Sequence, residues 1–229
     1  MSEFGRDNVA RIGIDSEQTA AVGFQRTEGI KTVGVNNFGN TVEVDLYLDP
    51  AWENTAVRAG LWVVGDEGDA RSNTFGIIEF VNSEDCASPD CTTHPSNITD
   101  HEGFRLWDSL NGGWSESLEL DTEFEYGNWV TLKIELDAEQ QQYVYTINDG
   151  IVGTAGGGGD FIREVFLNSY NYGLDEFPML NSDSYAAHWH GGLMDPAEKN
   201  DCKKDGFVAF GFKNQGQCIQ YVNTGRDSR

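Results

Sequence analysis

In "TVEVDLYLD", residues 41–49, Val42, Val44, Leu46 and Leu48 alternate with Glu43, Asp45, Tyr47 and Asp49. Apolar side chains at every second position share one face of an extended chain, so this segment predicts a strand with one face buried. Pro50 has no amide hydrogen to donate and stops it. "AGLWVVGD" and "FGIIEFVN" follow as strands, separated by the polar turn "GDEGDARSN". The same period returns in "FRLWDS" and "SLELDTEFE". It is most regular in "VTLKIEL", where Val130, Leu132, Ile134 and Leu136 alternate with Thr131, Lys133 and Glu135. The turn "DAEQQ" leads into "YVYTIN", and the "NDG" that ends it signals a hairpin. "IREVFLNSYNYG" reads as a strand, with a short helix as the alternative, and "YAAHWHGGLM" as the closing strand.

Strands at short intervals with polar turns, and no heptads or long helical period, predict an all-β jelly-roll β-sandwich over residues 9–194. A long polar loop, "SEDCASPDCTTHPSNITDHEG", interrupts it, and "TAGGGGD" reads as a flexible Gly-rich loop. The polar stretch "DPAEKND" then separates a small Cys-closed element at 200–225. The composition suits this architecture, with 12% aromatic residues and 27 Gly against 5 Pro. No apolar run approaches the length that spans a bilayer, so membrane insertion is not expected.

Charge narrows the partners. The formal net charge is -23, from 38 acids against 15 bases. Such a surface repels polyphosphate, and no Lys/Arg cluster with interleaved aromatics is present, so nucleic acid is excluded as a partner. The acids would suit solubility in a salty or extracellular setting, Ca²⁺ sites, or simply a solvated surface. The four cysteines fall in two local pairs, which predicts the disulfides Cys86–Cys91 and Cys202–Cys218 and an oxidising compartment. Free thiols or a metal are the alternatives, although neither pair has tight zinc-ligand spacing. The opening "MSEFGRDNVA" lacks a basic start and an apolar run and is not a signal peptide. The expectation is a secreted chain whose signal has been trimmed, with "MSEF" in part a cloning remnant. Asn97 begins an "NIT" triplet that fits a glycosylation sequon.

"WVTLKIELDAEQQQYVYTINDGIVGT" resembles the concanavalin A-like lectin/glucanase superfamily, in a style close to laminin-G-like modules. A Trp opens one strand, "LKIELD" runs to a turn, and a Tyr-rich strand ends in "NDG". "VFLNSYNYG" and the strand around Trp189 fit the same half. The resemblance implies the jelly-roll fold and leaves function open among lectins, hydrolases, lyases and adhesive modules. The tail, with "FGFKNQGQC", resembles a short Cys-paired segment found at the C-terminus of bacterial secreted proteins.

Candidate chemistry lies in three places. One glucanase branch of the superfamily carries its carboxylates on a single strand as Glu-x-Asp-x-Glu, which is the pair of carboxyls that glycoside hydrolysis needs. "ELDTE" matches, and would make Glu119 nucleophile, Asp121 helper and Glu123 acid/base. An edge strand leading to Trp129 accounts for the same residues, and "EVDLYLD" lacks the last Glu. In "HWH", His188 and His190 share one face of a strand and Trp189 takes the other. The pair could supply two zinc ligands, with His94, His101 or a carboxylate as a third, but an inward Trp189 explains the pattern without a metal. The loop acids Asp66, Asp69, Asp85 and Asp90 are the Ca²⁺ candidates, without EF-hand spacing.

Scattered arginines on an acidic chain disfavour a lyase that neutralises uronates. The best reading is therefore a secreted, non-catalytic carbohydrate-binding or adhesive module. A subset of Trp62, Glu79, Trp107, Trp129, His188 and His190 on one sheet face would contact a polysaccharide or glycan ligand. A β-glucanase using Glu119 and Glu123 and a self-assembling structural exoprotein are the rivals.

Overall fold

The structure, a computed structural model, describes residues 4–6, 9–14, 26–31, 39–55, 57–66, 71–82, 102–111, 113–114, 124–171, 184–191, 199, 202–203, 207, 212–224 and 226. Among the described residues the chain forms two six-stranded antiparallel sheets. The first runs in the order β1 (Ala10–Ile14), β12 (Tyr185–Gly191), β3 (Thr41–Tyr47), β8 (Trp129–Asp137), β9 (Gln142–Ile147) and β10 (Gly150–Gly156). The second runs β2 (Arg26–Lys31), β11 (Phe161–Asn171), β4 (Val57–Asp66), β5 (Arg71–Asn82), β6 (Glu102–Asp108) and β7 (Gly113–Trp114). This is an all-β jelly-roll sandwich. "IREVFLNSYN" lies in β11 and is strand, not helix.

Alternation decides which side chains meet between the sheets. On β3, Val42, Val44 and Leu46 are buried, and Leu46 pairs with Val130 on one side and Trp189 on the other. From the second sheet, Ala59, Leu61 and Val63 of β4 join Ile78 and Phe80 of β5 and Phe104 and Leu106 of β6. Trp52 fills one end from a 3-10 turn, Pro50–Asn54, where the Asp49 side chain caps the Ala51 amide. Its ring lies 5.9 Å from Phe80 and 6.0 Å from Tyr185.

Three core tyrosines reach across the sandwich with their hydroxyls. Tyr143 OH accepts from Gly65 N–H at 3.0 Å. Tyr145 OH accepts from Ile77 N–H at 3.3 Å and donates to the Trp107 carbonyl at 3.2 Å. Tyr185 OH accepts from Arg58 N–H at 3.3 Å and donates to the Arg58 carbonyl at 2.7 Å. Each phenol therefore buries its ring while keeping its polar tip satisfied. The contacts fix the backbone of β4, β5 and β6 from beneath.

The turn at "NDG" is the tight hairpin its sequence predicts. Asn148 and Asp149 both have positive φ, 48° and 68°, and Ile147 pairs with Gly150. "TAGGGGD" differs from the expected flexible loop. Thr154–Gly156 complete β10, and Gly157, Gly158 and Gly159 are buried. A Cβ on Gly157 would overlap the Tyr143 ring, so these glycines serve close packing. "SLELDTEFE" is described only from Phe124, where the chain is not strand, and Phe124 packs 5.3 Å from Phe80.

Near the C-terminus Cys202 and Cys218 form a disulfide, and α1 (Gln215–Thr224) carries the second of them. Cys202, Phe212 and Cys218 are buried with the core residues. Cys86 and Cys91 lie outside the described residues. Among the described residues no helix is long and apolar enough to cross a membrane.

Candidate functional site

Because Val57, Ala59, Leu61 and Val63 of β4 point into the core, Arg58, Gly60, Trp62 and Val64 point the other way. Cross-strand register extends these positions into rows over the outward face of the second sheet. Gly60 is flanked by Glu79 on one side and Asn168 on the other, and Glu79 in turn faces Arg105. One step along, Trp62 is flanked by Ile77 and Phe166, and Ile77 by Trp107. A polar row thus lies beside an aromatic one.

Burial separates the two rows. Glu79 is 0% exposed and Arg58 and Arg105 are each 4% exposed, although all three point away from the core. Trp62, Trp107 and Phe166 are half-buried. The Trp62 ring lies 6.2 Å from Phe75 and 6.4 Å from Phe166. Gly60 makes the close approach possible. A Cβ there would lie 3.0 Å from Trp62 Nε1 and 3.2 Å from Glu79 Cβ.

Both arginines converge on one oxygen of Glu79. Arg58 Nε donates to Oε1 at 2.7 Å, while Arg105 donates to it through Nε at 2.9 Å and Nη2 at 2.5 Å. Burial alone would raise the Glu79 pKa, but the Arg105 and Arg58 charges and their hydrogen bonds outweigh it and hold the carboxyl below its usual range. The group is a carboxylate. Its second oxygen, Oε2, is buried and has no hydrogen-bond partner among the described residues. Leaving a buried acceptor unmade costs about 1–3 kcal/mol, more for a charged group, so this oxygen requires an explanation that packing does not supply.

At the opposite end of β4 the arrangement is inverted, with one cation between two acids. Arg163 Nη1 lies 3.4 Å from Asp66 Oδ2, and its Nη2 donates to Glu164 Oε1 at 3.0 Å. Asp66, one of the four Ca²⁺ candidates, therefore faces a guanidinium. Asp69, Asp85 and Asp90 lie outside the described residues. Among the described residues no three His, Cys, Asp or Glu side chains gather as a metal site would require.

The remaining ligand candidates belong to the first sheet. Tyr47 lies between His188 and Trp129, and Asp45 between His190 and Thr131. Trp189 is 1% exposed in the core, as the alternation requires. His188, on the outward side of the strand, is only 6% exposed, and Phe4 lies over this face. The Phe4 ring stacks on Tyr47 at 4.0 Å and meets His188 edge-on at 4.7 Å. Trp62, Glu79 and Trp107 thus share one face, while Trp129, His188 and His190 share the opposite face of the molecule. Glu119, Asp121, Glu123, His94 and His101 lie outside the described residues.

Arg58, Arg105, Gly60 and Asn168 complete this face beyond the candidates that the sequence pattern singles out. A signal for two of them was present. "VRAGLWVV", "GIIEFV" and "GFRLW" each hold one charge inside an otherwise apolar strand. A charge there must be paired, and the three charges, two positive and one negative, pair with one another.

No protein-family model matches the chain, and no curated protein matches it. Among solved structures it is similar to a β-glucanase of Bacillus licheniformis, at 13% identity over 71% of this chain and 68% of that one, with a TM-score of 0.43. A carbohydrate-binding module, CBM66, from Bacillus subtilis is similar at 15% identity over 72% of this chain and 78% of that one, with a TM-score of 0.40. An endo-β-galactosidase from Clostridium perfringens is similar at 12% identity over 80% of this chain and 50% of that one, with a TM-score of 0.49. Likeness at this level transfers neither an activity nor a ligand.

Proposed function

We propose that the chain is a secreted, non-catalytic carbohydrate-binding or adhesive module, and that the outward face of its second sheet holds the glycan. The observation that carries this reading is a row at matched register in which Trp107, Trp62 and Phe166 are half-buried and Ile77, between the two tryptophans, is buried. Aromatic rings that served only the core would face inward, as Trp52 and Trp189 do. Rings kept at a sheet surface offer flat apolar platforms to the C–H face of a pyranose.

Glu79 supplies the polar complement. An ionised carboxylate is an acceptor only, and Oε2, without a partner among the described residues, is the acceptor suited to a sugar hydroxyl. Because Oε2 is buried, a hydroxyl reaches it by entering the face, so association includes an opening step. A carboxylate held ionised by two guanidiniums is a poor proton donor, so Glu79 is suited to accepting a hydrogen bond and not to acting as a general acid. The Cys202–Cys218 disulfide supports an oxidising compartment and hence export.

A glycan array followed by calorimetry on the hit tests the reading. Trp62→Ala and Trp107→Ala are each expected to weaken binding by about tenfold or more, the loss of a stacked aromatic. Glu123→Gln is expected to leave it unchanged. A blank array across neutral and acidic glycans, or full binding in the double Trp variant, overturns it. Release of reducing ends that stops with Glu123→Gln would establish the glucanase alternative instead.

A further inference from the structure

The opposite face of the molecule holds a second, differently built site, and the chain itself shows what fits it. Arg6 is ion-paired with Asp45 Oδ2. Its guanidinium carbon lies 4.6 Å from the centre of the Trp129 ring, and Nη1 lies 3.0 Å from His190 Nδ1. Asp45 is held for this contact from the other side, since its Oδ1 accepts from Thr131 Oγ1 at 2.6 Å. Trp129 is oriented too. Its Nε1 donates to the Phe4 carbonyl at 3.1 Å, and Tyr47 packs 5.3 Å from its ring. These parts match what a planar cation needs: an aromatic face, a carboxylate in its plane and a ring nitrogen as acceptor.

We propose that Asp45, Trp129 and His190 form a recognition site for an arginine side chain of a basic peptide segment, and that Arg6 occupies it in cis. Phe4, stacked on Tyr47, extends the contact to an aromatic residue two positions before the arginine. The ligand is an Arg-bearing peptide, not a glycan, and the formal charge of -23 on the chain favours its approach. A ligand in trans must displace Arg6, so the intact chain binds weakly and a chain without the Arg6 side chain binds well. This site is independent of the Trp62 face and stands or falls separately from it.

The test is calorimetric titration of the full chain with acetyl-Phe-Gly-Arg-amide. Removing the competitor by Arg6→Ala, or by Phe4→Ala with Arg6→Ala, is expected to tighten binding about tenfold, the scale of a desolvated cation–aromatic contact with its ion pair. In that background Asp45→Asn is expected to abolish binding. A peptide carrying citrulline, the neutral isostere of arginine, is expected to bind at least about tenfold more weakly. Equal affinity for the intact and Arg6→Ala chains, or for the arginine and citrulline peptides, overturns the proposal. The single variant keeps Phe4 on Tyr47, so the test survives if the double variant unfolds. Unchanged glycan binding in Arg6→Ala would confirm that the two faces are separate.

Discussion

Tyr145 belongs to one sheet and Trp107 to the other, and the Tyr145 hydroxyl joins them by donating to the Trp107 carbonyl at 3.2 Å. The same oxygen accepts from Ile77 N–H at 3.3 Å, so one core phenol grips two neighbouring strands under the aromatic row. Its burial also raises the phenol pKa, which keeps the group a neutral donor at any working pH. Tyr145→Phe retains the ring and removes both contacts. It is expected to destabilise the fold by about 1–3 kcal/mol, the cost of buried hydrogen bonds lost from one side. For a domain of this size that is a fall in Tm of about 2–4 °C per kcal/mol, readable by calorimetry. If Trp107 depends on this anchor for its place, glycan affinity falls in the same variant. The inward Tyr143→Phe, whose hydroxyl contacts β4 and β5 elsewhere, should leave affinity intact.

Glu79 with Arg58 and Arg105 makes a stability term whose pH dependence has a definite sign. The folded pKa is depressed, so the stabilisation is present above the unfolded carboxylate value and is lost as pH falls through the folded one. Glu79→Gln leaves two buried guanidiniums around a neutral amide and is expected to cost about 3–5 kcal/mol at pH 7. The gap between the two proteins should hold from about pH 7 to 5 and shrink only below about pH 4, as the native chain protonates. Urea denaturation at about pH 7, 5 and 3 measures it. A gap that closes already between about pH 7 and 5 would mean that the carboxyl is not held ionised.

The strands were legible because each obeys the period of two. Val130 to Leu136 and Val42 to Leu46 are buried at alternate positions, as their alternation requires, and Tyr47 is buried as well, with Phe4 stacked on its ring. The turn at Asn148 and Asp149 was legible because positive φ selects those residues. The stretch from Gly156 to Gly159 was not, because composition cannot separate a glycine that gives freedom from one that makes room for a ring. What composition and period cannot report is which sheet a strand joins. Trp62, Glu79 and Trp107 fall on the consecutive strands β4, β5 and β6 of one sheet. Trp129, further along the chain, starts the strand that lies in the other sheet, and His190 comes beside it because β3, far back in sequence, pairs with both strands. Alternation gave each residue a face but not a partner sheet, and long-range pairing decides the rest.

The Cys202–Cys218 bridge closes a loop of sequence separation 16 and holds α1 to the chain before it. A loop of that length contributes about 3 kcal/mol by restricting the unfolded chain. Cys202→Ser with Cys218→Ser also places hydroxyls where two sulfurs are fully buried, which adds to the loss. The double variant is expected to unfold at lower urea concentration while glycan affinity below the transition stays the same. Affinity that fell with the bridge would place the C-terminal element in the binding site.

Gly60 tests the contact between the polar and aromatic rows most directly. Its Cβ position is bounded by Trp62 Nε1 at 3.0 Å, Glu79 Cβ at 3.2 Å and the Ile78 carbonyl at 3.3 Å. The carbonyl belongs to a paired strand and cannot retreat, so Gly60→Ala must move the indole or the carboxylate side chain. The expected result is destabilisation by about 1–3 kcal/mol, the usual cost of overpacking. Glycan affinity should fall more than that modest loss of stability explains, because Trp62 and Glu79 shift together. Calorimetric binding at a temperature well below the unfolding transition separates the two effects. A Gly60→Ala chain that loses stability but binds normally would show that neither Trp62 nor Glu79 touches the ligand.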